Sequence, residues 1–257
     1  MEIGSDINET IEKVIINSLR KKFQSYNPET SHMPFHYRLL GKDRMTLFSF
    51  IQSLNTTFGT SIFEPVAETL AKLKHKQAKR RYVLGNKISK EAQKEIQNII
   101  NELTIGKNPD KKEEIERIRR VCQEGEIVKL KTTLVDFCVI SYDDNIHLFD
   151  IKTAKPNIGE FKSYKRTLLE WLAIFFYENP EAKVNSYIAI PYNPYESKPY
   201  ERWTLKGMLD LENELMVADE FWNFLGGEGA YEEVLNCFER AGIKLRPEIH
   251  EYFAKFK

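Results

Sequence analysis

Asp136, Asp150 and Lys152 are the residues whose types and spacing offer chemistry, within LKTTLVDFCVISYDDNIHLFDIKTAKPNIGEFKSYKRTLLEW, residues 130–171. Leu134 to Ile140 is rich in β-branched and aromatic residues without Gly or Pro, so it reads as a strand. Tyr142-Asp143-Asp144-Asn145 is turn chemistry, and Ile146 to Thr153 resumes the strand pattern. Side chains alternate along a strand, so Asp150 and Lys152 share a face. A three-residue loop of Asp143, Asp144 and Asn145, with Asn145 left-handed, would set Asp136 on that face, opposite Lys152. Neighbouring strands lie about 4.8 Å apart, which brings two carboxylates and an ammonium to one spot.

Two carboxylates in a small volume repel, and each holds its proton unless a cation intervenes. A hard divalent ion such as Mg2+ accepts carboxylate oxygens and keeps waters for itself. The lysine then polarises a water or neutralises developing phosphate charge, which is equipment for hydrolysing a phosphodiester. The competing reading is a solvated hairpin with a surface ion pair, worth under about 1 kcal/mol. Against it stand Ile146, Leu148, Phe149 and Ile151. They predict a strand buried around Asp150, and buried acids are paired or functional.

The rest of the chain must position this hairpin. Helical periods cover about Ile7 to Phe23, Asp43 to Thr56, and SIFEPVAETLAKLK, where Pro65 suits a first turn. Glu64 and Glu68 lie one turn apart, and either would complete an acidic site by leaning over the hairpin. Glu64, at the helix entrance, is slightly favoured. KLKHKQAKRR, residues 72–81, is the densest basic run. It offers Lys72, Lys76, Lys79, Arg80 and Arg81 for phosphate contact, or else forms a solvated helix end. Lys87 to Leu103 and Asp110 to Glu124 read as amphipathic helices. Pro34 between His32 and His36 disrupts what would be a helical metal-ligand spacing.

After the hairpin, a helix from Glu160 to Tyr177 carries Lys162, Lys165 and Arg166 on one side, with Lys155 in the loop before it. The βαβ logic then predicts a returning strand at Val184 to Ile190. Asn193, Tyr195, Lys198 and Arg202 follow on a loop suited to phosphates or base edges. Phe221, Trp222 and Phe224 read as core before a Gly226-Gly227 stop. Tyr231 to Ala241 and Arg246 to Phe256 read as closing helices. One domain is expected, with residues 1–124 mainly helical, 125–205 the sheet core and 206–257 helical.

The 38 Lys and Arg balance 38 Asp and Glu, which argues against a loose, non-specific polyanion binder. Cys122, Cys138 and Cys237 are odd in number and scattered, as expected of free thiols in a reducing cytosol. No apolar run approaches membrane-spanning length and no secretory leader is evident, so a cytoplasmic, membrane-free protein is expected.

Asp136 followed by Asp150-Ile151-Lys152 resembles the PD-(D/E)XK nuclease signature, with Val135 where that family often has Pro. Together with HMPFHYRLLGKDRMTLFSFIQSLNTTFGTSIFEPVAETLA, KTAKPNIGEFK and DEFWNFLGG, it resembles the TdeIII-type family of type II restriction endonucleases over nearly the whole chain. The resemblance implies an α/β fold: a mixed central sheet flanked by helices, with a helical N-terminal part and C-terminal helices. It implies Mg2+-dependent double-strand cleavage of DNA at GGNCC, leaving 5′-phosphates. Asp136, Asp150 and the Ile151 carbonyl would hold the metal, with Asp136, Asp150 and Lys152 catalytic. Near-symmetric DNA implies a homodimer, and the host would need a cognate methyltransferase. The alternatives are another PD-(D/E)XK nuclease, of repair or transposon type, and a non-catalytic DNA-binding protein.

Overall fold

The computed structural model describes residues 4–28, 33–152, 160–200 and 206–256. Within the first 74 positions the described elements are all helices: α1 (Ser5–Ser25), α2 (Pro34–Leu40), α3 (Lys42–Thr57), a π-helical stretch (Phe58–Phe63) and α4 (Glu64–Lys74). Then come β1 (Gln77–Ser89), α5 (Lys90–Thr104), α6 (Lys111–Val121), β2 (Ile127–Ile140) and β3 (Ile146–Ile151). α7 (Phe161–Glu178), β4 (Val184–Ile190), β5 (Leu215–Val217), α8 (Asp219–Gly226) and α9 (Ala230–Ala254) close the order.

The five strands form one mixed sheet in spatial order β1-β2-β3-β4-β5. β1–β2 and β2–β3 are antiparallel, while β3–β4 and β4–β5 are parallel. A parallel neighbour demands a crossover, and α7 supplies it between β3 and the returning strand expected at Val184 to Ile190. Helices flank this sheet as the sequence implies. Among the described residues no helix is long and apolar enough to cross a membrane, and all three cysteines are buried free thiols.

Several elements differ from the sequence reading: β5 falls within residues 206–257, expected to be helical, and α2 is not among the expected helices. The basic run is helical only to Lys74, and Gln77 to Ser89 form β1, an edge strand. Exposed Lys and Arg are what an edge strand uses to discourage further pairing, so the charge run hides a strand period. The helix expected from Lys87 begins at Lys90, where Ser89 Oγ accepts the Ala92 amide at 3.0 Å. The two closing helices are one, α9, with Pro247 inside it. Its stripe of Val234, Cys237, Ala241, Leu245 and Tyr252 is buried, and that packing carries the helix through the proline. The Gly stop stands: a Cβ on Gly226 would lie 2.9 Å from Ala230 Cβ and 3.1 Å from Leu70 Cδ2.

α6, α7, β4 and the segment entering β5 are joined by a buried ionic network. Glu214 bonds Lys111 Nζ at 2.8 Å and Lys165 Nζ at 2.6 Å, and Lys165 also bonds Glu114 at 2.5 Å. Lys111 Nζ further donates to Ser186 Oγ at 2.8 Å. Burial alone would raise the Glu214 carboxyl, but the two ammonium groups outweigh it and hold it below the usual range. Removing Glu214 would leave buried Lys111 without a carboxylate and Lys165 with Glu114 alone. Glu214→Ala is therefore expected to lose about 3–5 kcal/mol in denaturant unfolding. Lys13→Ala, which breaks an exposed pair with Glu9, should leave the curve in place.

Candidate active site

β2 and β3 pair in register from Phe137–Phe149 to Ile140–Ile146, and one further step places Asp136 opposite Asp150. The pairing of Asp136 with Lys152 expected from the sequence is therefore corrected. The connecting loop is Tyr142-Asp143-Asp144, closed by the Ser141 amide on the Asn145 carbonyl at 3.0 Å. Asp144, at φ 60°, takes the left-handed position expected for Asn145. Asn145 Nδ2 instead donates to Asp143 Oδ2 at 2.5 Å, and Lys76 holds Asp144. The register changes by two, and an even change preserves the face, so both acids still converge.

Asp136 Oδ2 accepts the Ile151 amide at 3.2 Å. Asp150 is only 5% exposed. Burial pushes its carboxyl up, Lys152 partly offsets this, and the charge of Asp136 adds to it, leaving Asp150 raised to about 6. Lys152 Nζ lies 2.7 Å from Asp150 Oδ1, and 5.0 Å from the centroid of the Tyr164 ring. Tyr164, in the first turn of α7, donates its phenol to Glu160. Nothing in the sequence marks Tyr164 except its four-residue spacing from Glu160. Phe149, beside Asp150, is held by Phe137, Tyr187, Phe221 and Phe224. This aromatic plate anchors the strand that carries the carboxylate.

The two glutamates of α4 separate. Glu68 bonds Arg80 at 2.6 Å and Lys72 at 3.1 Å, and these bonds overcome burial to lower its carboxyl. Glu64 is buried at the start of α4, and burial raises its carboxyl against the pull of Arg80 and Arg81. Among the described residues no ion pair engages Glu64, and no described contact joins it to Asp136 or Asp150. Arg81, at φ 48°, falls at the register position beside Asp136, between the pairs Arg80–Phe137 and Tyr82–Val135.

The basic residues read as DNA contacts scatter in behaviour. Lys72, Lys76, Lys79, Arg80, Arg81, Lys162 and Lys198 are exposed. Arg166 bonds Gln97 at 2.5 Å. Asn193 is engaged in its own loop, donating to the Lys198 carbonyl and accepting the Tyr195 amide. Tyr195 packs at a tilt against Tyr200, their ring centroids 5.8 Å apart. Lys165 is a correction: it is fully buried in the ionic network, so it faces no solvent. Helical periodicity puts it near Lys162 and Arg166, but the deep acids Glu114 and Glu214, distant in sequence, draw it inward. Lys155 and Arg202, like His32, lie outside the described residues.

Comparison with known proteins identifies the family. The family described as "Type II restriction endonuclease, HinfI" is matched over residues 3–242. The chain is 25% identical to the type II restriction enzyme MjaII of Methanocaldococcus jannaschii, covering 89% of this chain and 68% of that protein. It is 27% identical to the type II restriction enzyme HgiCII of Herpetosiphon aurantiacus, covering 84% and 80%. Identity to HgiEI of the same organism is 26%, covering 88% and 84%. The wider class implied by the sequence resemblance, type II restriction endonuclease, is the one matched, and the matching family is that of HinfI.

A raised carboxyl has a signed consequence for stability. Folding favours protonated Asp150, so its ionisation costs stability as pH rises from about 4 through about 6. In metal-free buffer, Asp150→Asn should be more stable than the native protein at pH 7.5, by up to about 3 kcal/mol, and no more stable near pH 4. Parallel thermal or urea unfolding at the two pH values measures the difference.

Proposed function

The chain belongs to the HinfI family of type II restriction endonucleases, and on that premise we propose that it cuts both strands of DNA at a specific sequence, dependent on Mg2+, through a PD-(D/E)XK core. The observation that carries this reading is the juxtaposition of Asp136 and Asp150 at the end of β3, with Lys152 against Asp150. A buried acid beside a second acid is a site whose charge invites a cation.

The residues present fit Mg2+ on the chemistry of the donor set. Among the described residues no group of three or more His, Cys, Asp or Glu is placed to hold a metal. Two carboxylates and the Ile151 carbonyl leave positions for water and phosphate, which suits an ion that dehydrates reluctantly. When bound, Mg2+ supplies a Lewis acid against the scissile phosphate. Asp136 and Asp150 would hold the ion. Lys152, which contacts Asp150 in the structure, would be the cation available to orient the phosphate and the attacking water. Glu64 rather than Glu68 is the further acid, because Glu68 is occupied by Arg80 and Lys72.

Lys72, Lys76, Lys79, Arg80, Arg81, Lys162, Arg166, Asn193, Tyr195 and Lys198 are proposed to face the duplex, together with Lys155 and Arg202. The resemblance makes GGNCC the first sequence to test, with 5′-phosphate ends. One site per chain and two strands to cut favour a homodimer. A cognate methyltransferase would protect the host.

The test is digestion of unmodified phage or plasmid DNA with Mg2+, beside Asp150→Ala. Discrete Mg2+-dependent fragments from the native protein, with at least about a 100-fold loss in the variant, are expected. A smear would replace specific with non-specific cleavage, and intact DNA in Mg2+ and Mn2+ from a folded protein would overturn the catalytic reading.

A further inference from the structure

β3 ends at Ile151, and β2 pairs with it only over Phe137–Ile140. The earlier half of β2 pairs with β1 alone, so a two-stranded ribbon of residues 83–89 and 127–134 leaves the sheet beside Asp136. Ile88, Val128 and Leu130 of this ribbon turn into the core. Lys129 and Lys131, flanking Leu130, are exposed, and Lys87 sits directly opposite Lys129. Like charges facing each other across a strand pair destabilise it. Among the described residues no carboxylate pairs with Lys87, Lys129 or Lys131. A chain with no net charge thus concentrates uncompensated positive charge at one end of a strand whose other end carries the catalytic acid.

Distance says what this charge can reach. Lys131 and Lys129 precede Asp136 by five and seven residues. At about 3.3 Å per residue they lie up to roughly 17–23 Å along the strand, somewhat less across the irregular register near Gly85. A duplex advances about 3.4 Å per base pair, so this span corresponds to about five to seven base pairs from the scissile phosphate. That falls beyond a five-base-pair recognition sequence. We propose that Lys87, Lys129 and Lys131 on the β1–β2 ribbon form a phosphate-binding arm that grips the duplex flanking the recognition sequence. The inference rests on the DNA-cleaving reading above. The arm contributes affinity and salt dependence without sequence information, since phosphate contacts position and base contacts specify.

The experiment combines Lys87→Gln, Lys129→Gln and Lys131→Gln, and measures binding in EDTA to duplexes of about 10 and about 30 base pairs across a salt series. Each lost phosphate contact lowers the slope of log K against log salt by about 0.9, so a drop of about 2–3 per bound subunit, about 5 for a homodimer gripping with both arms, is expected on the long duplex. On the short duplex native and variant should bind alike, and cleavage of plasmid at saturating enzyme and Mg2+ should keep its rate. The variant should melt at the native temperature or above it, because the Lys87–Lys129 repulsion is gone. An unchanged slope on the long duplex, or an equal loss on both lengths, would overturn the arm while leaving a native protein that still cuts. A native protein that binds neither duplex would overturn the arm and the DNA-cleaving reading together.

Discussion

The structure depends on a carboxylate held where water reaches it poorly. Asp150 is the penultimate residue of a strand whose Leu148 and Phe149 are wholly buried, and it faces a second acid across the β2–β3 ladder. Ionising such a group costs free energy that the fold must supply elsewhere or recover from a cation. The aromatic plate around Phe149 supplies it, fixing β3 so that the acids do not part. Lys152 is the cation beside Asp150, 2.7 Å from its carboxylate and 5.0 Å from the centroid of the Tyr164 ring. A divalent ion would compete with this ammonium for Asp150, and a displaced lysine is one free to meet a phosphate.

A second buried charge cluster holds the frame around that site. Lys111, Lys165, Glu114 and Glu214 balance their charges and tie α6 and α7 to the approach to β5. Buried ion pairs are weak contributors to net stability against apolar packing, yet their geometry admits few alternative arrangements. Lys165 directly follows Tyr164, the residue beneath Lys152. The rotation of α7 that brings Tyr164 to the site is therefore the rotation that sends Lys165 into the network.

Much of this was legible in the sequence. The parity of the hairpin put Asp136 and Asp150 on one face whichever odd loop formed, and Val184 to Ile190 followed from the crossover rule. The partner within that face was not legible. Ser141–Asn145 closure against Tyr142–Ile146 closure turns on side-chain bonds among Asp143, Asn145 and Lys76 that local turn preferences do not rank. β1 was hidden because an edge strand dressed in Lys and Arg resembles a solvated helix end. Lys165 was misplaced because its acids come from α6 and from Glu214, and helical periodicity carries no information about partners so distant. The same blindness joined Glu64 and Glu68, which only the position of Arg80 on β1 separates.

On the proposed reading, Asp136 and Asp150 form one cation site, whose paired negative charge is unfavourable without a counter-ion. Calorimetric titration with Mg2+ or Mn2+ near pH 6, in two buffers of different ionisation enthalpy, tests it directly. Metal ligands must be deprotonated, so binding should release about half a proton per site as Asp150 gives up its share, and Asp136→Asn should abolish both binding and release. Metal binding without proton release, undiminished in Asp136→Asn and Asp150→Asn, would contradict the account.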